Sequence, residues 1–177
     1  THELKMEYAG AESNVAASLS LFGHQVQFVT KLPAHGLGDA AVRAIREYGI
    51  KTDAIVRDGK RVGTYFLEHG TSLRPARIIY DREHSAIANS RPEEFDWDNL
   101  LDAQDWFITT GITPALSKSC AQACAEALKV ASSKGLNTAF DLNFRRSLWT
   151  LEEGRATLQP ILEDVDVLFS NIGSAGD

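Results

Sequence analysis

The hydrophobic positions of the chain alternate between helical spacing and short strand-like runs. Val15, Leu19 and Phe22 recur every three or four residues, which indicates one face of a helix that ends before Gly23. A strand-like run follows, and the same alternation continues along most of the chain. Helices are predicted at 11–22, 38–48, 97–103, 114–134 and 151–162, and strands at 25–32, 53–56, 105–110, 138–142 and 165–170.

Residues with known preferences for helix ends support these boundaries. Asp39 is predicted to be the N-cap of the second helix, and Gly49 its terminator. The long helix has Pro114 in its first turn and Gly135 after its last. It is expected to bury a stripe made of Leu116, Cys120, Cys124, Leu128 and Ala131, and the last strand is also expected to be buried.

Strands that alternate with helices predict an α/β fold with a parallel sheet and right-handed crossovers. One region breaks this rhythm, because Arg61–Glu68 and Arg77–Asp81 are rich in β-formers and show no helical period. We predict that they form a small antiparallel appendage. The chain is therefore divided into an α/β core of residues 1–58 and 86–177 and a β appendage of residues 59–85.

The composition of the chain restricts the class of protein to which it can belong. The chain has 177 residues, the size of one domain, and 44% of them are apolar, enough for a buried core. Its 18 Lys and Arg against 24 Asp and Glu give a net charge of -6, which disfavours a nucleic-acid partner. Without a signal peptide or an apolar run of about 18 residues, the chain is expected to be cytoplasmic and to bind no membrane.

The two cysteines share one face of the long helix. Cys120 and Cys124 lie four residues apart, which is badly placed for a disulfide, and no further Cys or His lies nearby to complete a metal site. We expect both to be packed in the core.

Polar groups follow the strand predicted at 138–142. The stretch from Asp141 to Trp149 contains a carboxylate, Asn143 and two guanidinium groups, Arg145 and Arg146. Ligands of open parallel sheets bind outside the carboxyl ends of the strands, and Arg matches carboxylate or phosphate bidentately. The alternative is a solvated loop whose charges pair with one another.

Three further segments offer chemistry, each with a structural alternative. Residues 9–14 place small residues and Asn14 before a helix, which is also a common turn. In the appendage, Tyr65 lies on one strand and Tyr80-Asp81-Arg82 ends the other, which fits either ligand contact or surface packing. Residues 109–114 join a strand to a helix, where Thr113 could simply be the helix cap.

In this order the segments resemble the ribokinase-like (phosphofructokinase-B) sugar kinases. The resemblance spans nearly the whole chain and rests on Ala-Gly-Ala-Glu-Ser-Asn-Val-Ala at 9–16, Thr-Lys-Leu-Pro at 30–33, Gly-Leu-Gly-Asp at 36–39, Gly-Thr-Tyr-Phe-Leu-Glu at 63–68, Ile-Tyr-Asp-Arg at 79–82, Thr-Gly-Ile-Thr-Pro at 110–114 and Asp-Leu-Asn-Phe-Arg at 141–145. It implies a three-layer α/β/α core with a mostly parallel sheet, plus the appendage as an antiparallel β lid.

Within the family the chain is most similar to 2-keto-3-deoxygluconate kinases, because two Arg residues suit an acidic sugar. This resemblance implies that ATP with Mg²⁺ phosphorylates the C6 hydroxyl of the keto acid after the lid closes over it. The lid strands of this family also form dimers, so a homodimer is implied.

The same resemblance implies roles for individual residues. Gly10 and Asn14 would line the sugar site, with added contacts from the main chain at Asp81 and Ile112. Tyr65 and Tyr80 would close on the sugar, and Arg82 and Arg145 would bind its carboxylate. Asn143 would lie on the phosphate side, and Asn171 near the nucleotide and metal.

The family pattern is broken towards the end of the chain. The general base of the family is the Asp of a Gly-Ala-Gly-Asp turn, which does not occur inside this chain. Gly-Ser-Ala-Gly-Asp at 173–177 imitates that turn, but we do not expect Asp177 to be the base. Ser174 replaces the family's metal-organising Glu three residues after Asn171, so no metal ligand is assigned. We expect the nucleotide-binding half to be missing and the chain alone to be inactive.

Two alternatives remain open. The chain could belong to a neutral-sugar kinase of the same family, of the fructose or ribose type. It could also be a non-catalytic remnant that binds a sugar acid or dimerises.

Overall fold

The computed structural model describes residues 3–171 and contains alternating helices and strands. In chain order the elements are α1 (Ala11–Leu21), β1 (Thr30–Leu32), α2 (Gly36–Arg46), β2 (Ile55–Arg57), β3 (Thr64–Glu68), β4 (Arg77–Asp81), α3 (Trp97–Leu100), β5 (Trp106–Thr110), α4 (Ile112–Ala115), α5 (Lys118–Ser133), β6 (Asn137–Asp141), α6 (Leu151–Ile161) and β7 (Val167–Phe169), with 3₁₀ turns at Pro92–Glu94 and Leu162–Asp164.

The strands form a parallel arrangement with one antiparallel exception, as expected. β1 pairs with β2 in parallel, and β5, β6 and β7 form a second parallel sheet with β6 in the centre. β3 and β4 form a separate antiparallel pair, which we call the ribbon, and in it Tyr65 lies opposite Tyr80. No helix within residues 3–171 is long and apolar enough to cross a bilayer.

The main core lies between the three-stranded sheet and its two covering helices. Phe140 of β6 and Leu128 of α5 are both 0% exposed, and they pack with Cys124 of α5 and with Leu158 and Ile161 of α6. Burial of these side chains is the main source of stability for this sheet.

Helix α1 approaches the opposite face of the sheet. Side chains alternate along β5, so Thr109 points towards α5, where Cys124 contacts it, while Thr110 points the other way and contacts Glu12 of α1. Helices therefore lie on both sides of the sheet, in agreement with the expected three layers.

The last strand is not buried, contrary to expectation. Val167, Leu168 and Phe169 are 36%, 50% and 56% exposed. Among the described residues β7 pairs only with β6, and the face that α1 approaches also leaves Trp106 and Ile108 exposed. An apolar run identifies a strand, but it does not say whether a second layer covers it.

The predicted long helix is broken in two. α4 ends at Ala115, and α5 begins at Lys118, where the Ser117 hydroxyl accepts a hydrogen bond from the Cys120 amide at 3.2 Å. Pro114 therefore lies in the short helix, and Leu116 precedes α5 and is only half-buried. The rest of the predicted stripe is buried, and Cys120 and Cys124 are free thiols, as expected. Burial raises the pKa of Cys124 to about 12.

Two other boundaries differ from the prediction. Helix α2 begins at Gly36 after His35, so Asp39 lies in the first turn of the helix and is not its N-cap, and its carboxylate pairs with Arg57 at 2.6 Å. That pairing holds the pKa of Asp39 below its usual range. The strand predicted at 25–32 is reduced to β1 and one isolated bridge at Gln27.

A buried cation joins strand β1 to the 3₁₀ turn at Pro92–Glu94. Lys31 of β1 is 4% exposed, and its Nζ lies 2.6 Å from Glu94 Oε1 and 3.2 Å from Asp58 Oδ2. Burial alone would lower the pKa of Lys31, but the hydrogen bonds to Glu94 and Asp58 outweigh it and leave the pKa raised. Burial would likewise raise the pKa of Glu94, and its bonds to Lys31 and the Arg91 amide lower it overall.

Replacement of Lys31 by Met should lower the free energy of unfolding by about 3 kcal/mol, because the half-buried Glu94 then loses its closest cation. Urea denaturation measures this. The Lys31→Met/Glu94→Leu double variant should lose less than the single variant, and equal losses would contradict the explanation. Since the folded pKa of Glu94 is depressed, the stabilisation is present above its unfolded pKa and lost as the pH falls through the folded one.

Candidate functional site

The first helix begins at a turn that presents its N-terminus. Gly10 is the N-cap in an extended conformation, and its carbonyl accepts hydrogen bonds from the Asn14 amide at 2.9 Å and from the Ser13 hydroxyl at 3.0 Å. The Asn14 side chain is exposed, and it lines a cavity of about 350 Å³ together with Tyr8 and Tyr48. Both sugar-site candidates of this segment thus lie at one helix end.

Glu12, which the sequence analysis did not single out, ties this helix end to strand β5. Its Oε1 atom accepts hydrogen bonds from Thr110 Oγ1 at 2.8 Å and from Thr113 Oγ1 at 3.0 Å. Thr113 therefore forms a hydrogen bond to α1 and is not a helix cap. Its partners are distant along the chain, so no local pattern could have revealed this role for Glu12.

The ends of β5 and β6 meet at a glycine. The Gly111 amide donates to the Asp141 carbonyl at 2.8 Å, and a Cβ at Gly111 would lie 2.2 Å from the Leu142 carbonyl oxygen. Only a residue without a side chain fits there. The approach places Ile112 and the segment after β6 at the same edge of the sheet, as predicted for the carboxyl ends of parallel strands.

The segment after β6 has an unusual backbone conformation. Asn143 has φ of 36°, in the left-handed region, and its amide donates to Asp141 Oδ1 at 3.1 Å. Asn tolerates this conformation better than most residues. Further along, the rings of Phe144 and Trp149 stack with centroids 6.1 Å apart. The segment is therefore held by its own contacts.

Arg145 projects from this ordered segment. Its side chain is exposed, and no ion pair within residues 3–171 includes it. The alternative of a loop whose charges neutralise one another does not describe this residue. Its guanidinium is available to an anion.

The ribbon contains the aromatic candidates. The rings of Tyr65 and Tyr80 lie 6.0 Å apart at 53°, and the Arg82 guanidinium lies 4.2 Å from the centre of the Tyr80 ring. This cation–π contact orients Arg82 without neutralising it. Leu67 and Ile78 lie on the same face as the tyrosines, while Phe66 and Ile79 lie on the other.

Asp81 is bound by a residue that the sequence analysis had not assigned. Arg61 lies 2.5 Å from the Asp81 carboxylate, and it also donates to the main-chain carbonyls of Asp81 at 3.2 Å and Glu83 at 3.0 Å. The hydrogen bond from Arg61 lowers the pKa of Asp81. Arg61 thus anchors the end of β4 just before Arg82.

The predicted site residues fall into two groups. Gly10, Asn14, Ile112, Asn143 and Arg145 lie on elements that contact one another at the edge of the core, whereas Tyr65, Tyr80, Asp81 and Arg82 belong to the ribbon or directly follow it. The Ile112 amide donates a hydrogen bond to Thr110 Oγ1 at 3.1 Å.

Asn171 follows β7, whose last residue, Phe169, accepts a hydrogen bond from the Leu142 amide at 2.9 Å. Asp177 and Ser174 lie outside the described residues.

Residues 3–171 contain no group of three His, Cys, Asp or Glu side chains that could hold a metal ion.

Comparison with known proteins identifies the family. The family profile described as pfkB family carbohydrate kinase matches residues 1–175. The chain belongs to this family. A crystal structure of 2-dehydro-3-deoxygluconokinase from Thermotoga maritima is 49% identical to this pfkB chain with a TM-score of 0.92, and the match covers 95% of the chain and 52% of that structure. The expected family and fold are confirmed.

Two more relatives extend the comparison. The 2-dehydro-3-deoxygalactonokinase of Haloferax volcanii is 39% identical over 94% of the pfkB chain and 52% of its own length. An uncharacterized sugar kinase from Pyrococcus horikoshii, solved in complex with ATP, has a TM-score of 0.77 at 21% identity, over 90% of the chain and 52% of that structure, and shares the fold. The chain spans about half the length of the relatives it matches.

Substitution of Gly111 by Ala should lower the stability by about 2 kcal/mol, because the added methyl group forces the Leu142 carbonyl away. Gly36→Ala is the matched control, since nothing lies within 4 Å of a Cβ there, and it should leave the stability unchanged or slightly raised. Thermal denaturation compares the two. Equal melting temperatures would show that the two strand ends are not in close contact.

Proposed function

We propose that the chain is the sugar-binding part of an ATP-dependent kinase that phosphorylates the C6 hydroxyl of 2-keto-3-deoxygluconate or a close keto-sugar acid. The observation that carries this proposal is the placement of two guanidinium groups, Arg82 directly after the ribbon strand β4 and Arg145 after β6, neither of which takes part in an ion pair within residues 3–171. An acidic sugar supplies the carboxylate that such groups bind.

The names of two relatives support the substrate class. The proteins from Thermotoga maritima and Haloferax volcanii are both named for kinases of 2-dehydro-3-deoxy sugar acids, one the gluconate and the other the galactonate form. We propose the class that these names share.

The ribbon is proposed to act as a lid. Residues 59–85 would move over the sugar and exclude water, with residues 1–58 and 86–177 forming the core. Tyr65 and Tyr80 present apolar rings with polar hydroxyls, which suit the faces and hydroxyl groups of a sugar. Gly10, Asn14 and the main chain at Asp81 and Ile112 would complete the sugar site.

The phosphoryl donor is proposed to be ATP, which would lie at the edge of the core on the side away from the sugar. Asn143 would face the phosphates, and Asn171 the nucleotide. Phosphoryl transfer depends chiefly on positioning and charge neutralisation, so the role of this chain would be to hold and orient the acceptor. We assign the general base to no described residue.

Arg145→Gln and Arg82→Gln should each weaken binding of 2-keto-3-deoxygluconate about tenfold or more, because each removes a charged hydrogen bond to the carboxylate. Isothermal titration calorimetry measures the affinity. Arg43→Gln is the matched control: Arg43 is an exposed arginine of α2, and its replacement changes the charge equally without affecting binding.

Two results would favour the other candidates. If fructose or ribose binds and the Arg82 and Arg145 variants bind it normally, the chain belongs to a neutral-sugar kinase. If the keto acid binds but a longer protein that contains this chain transfers no phosphate from ATP to it, the chain is a non-catalytic remnant. Phosphorylation of the keto acid by that longer protein supports the proposal.

The ribbon is also proposed to mediate a homodimer. Its tyrosine face would meet the sugar, which leaves the opposite face, with Phe66 49% exposed and Ile79 50% exposed, for a second copy. A two-stranded sheet is marginally stable without such cover.

The Phe66→Glu/Ile79→Glu double variant should therefore sediment as a monomer in analytical ultracentrifugation, whereas the unaltered chain sediments as a dimer. Leu21→Glu, at an exposed apolar position of α1, is the control and should remain dimeric. A monomeric unaltered chain would exclude the dimer.

A further inference from the structure

We infer that Glu12 is a positioning residue for the sugar site, because its carboxylate sets the position of the α1 N-terminus against the β5–α4 turn. This inference rests on the proposed function, since Gly10, Asn14 and Ile112 are the groups proposed to contact the sugar. Glu12 itself is not proposed to touch the substrate.

The hydrogen bonds around Glu12 form a directional chain. The Ile112 amide donates to Thr110 Oγ1 at 3.1 Å, and the Thr110 hydroxyl gives its single proton to Glu12 Oε1 at 2.8 Å. The hydroxyl of Thr113 donates to the same Oε1 atom at 3.0 Å. The turn from Thr110 to Thr113 is therefore joined to α1 through one carboxylate oxygen.

That oxygen belongs to the same helical turn as the proposed sugar contacts. Glu12 lies between Gly10 and Asn14, and the Asn14 amide donates to the Gly10 carbonyl at 2.9 Å, so one backbone hydrogen bond closes the turn that contains all three residues. The carboxylate is half-buried, and both of its bonds are charge-assisted, which makes them stronger than bonds between neutral groups. Loss of the carboxylate should let the two sides of the site separate.

A small displacement between two sides of a site is enough to weaken a ligand. Contacts to a polar ligand need placement to within about 0.5 Å, which requires a rigid supporting shell. Within that shell, Glu12 binds Thr110 and Thr113, which lie 98 and 101 residues away from it in sequence. Its effect should therefore be on ligand affinity and not only on folding.

The structure supplies a matched control for a purely structural role. At the opposite end of the same sheet, Asp166 Oδ2 accepts a hydrogen bond from the Thr138 amide at 2.8 Å and lies 2.9 Å from the Thr138 hydroxyl oxygen, whose single proton can go to it or to the Asp164 carbonyl at 2.8 Å. This is the same carboxylate–threonine chemistry, placed at the amino end of β6, away from the proposed site. Its removal should reduce stability without changing the site.

The test compares Glu12→Ala, Glu12→Gln and Asp166→Ala in the 177-residue chain. Affinity for 2-keto-3-deoxygluconate is measured by calorimetry, melting temperature by circular dichroism, and exchange of the Ile112 amide by NMR. Glu12→Ala should bind the keto acid about tenfold more weakly. Glu12→Gln keeps a side-chain oxygen acceptor and should recover most of the affinity, and Asp166→Ala should melt earlier but bind normally.

The outcomes separate this inference from the proposed function. Normal affinity of Glu12→Ala, or an equal loss in Asp166→Ala, would overturn the positioning role. If Glu12→Ala does not fold, Thr113→Val removes one of the two bonds and is judged by the same criteria. If the unaltered chain binds no keto acid, the proposed function fails. The positioning role is then decided by the Ile112 amide, which must exchange faster in Glu12→Ala than in Asp166→Ala.

Discussion

The close approach of two strand ends at Gly111 is the constraint on which the candidate site depends. A side chain there would overlap the Leu142 carbonyl, so the β5 and β6 ends can lie together only because this position is glycine. The turn after β5 and the segment after β6 then share one edge of the sheet. The bonds from Thr110 and Thr113 to Glu12 bring the α1 N-terminus to that edge. Three segments far apart in sequence thereby become neighbours.

Some charged side chains of the described residues form ion pairs with one another, and others do not. Lys31 is buried and pairs with Glu94, and Arg61 binds the Asp81 carboxylate, so these groups serve the structure. Arg82 instead stacks on Tyr80, and Arg145 is exposed on an ordered segment. Arg43, Arg46 and Arg77 also form no ion pair among residues 3–171, so Arg82 and Arg145 are distinguished by their places at the end of the ribbon and after β6.

The ribbon and the three-stranded sheet differ in how their apolar groups are covered. One face of the sheet packs under α5 and α6, and Phe140 is completely buried there. The ribbon has apolar side chains on both faces, and each of its ten residues is exposed. A sugar against the tyrosine face and a second copy against the other would each cover apolar surface, which is why both proposals concern the ribbon.

The sequence alone determined the order of the elements, the antiparallel pair, the family and most of the candidate residues. These features follow from hydrophobic period, turn residues and motifs, which are local properties of the chain. The break before Lys118 was missed because the helical pattern continues across it, and the exposure of Phe169 was missed because an apolar strand does not reveal what covers it. Only the tertiary structure showed that Glu12 accepts hydrogen bonds from Thr110 and Thr113 and that Arg61 forms an ion pair with Asp81. The physical reason is that a polar residue has many potential partners, and the fold decides which of them lies within hydrogen-bond distance.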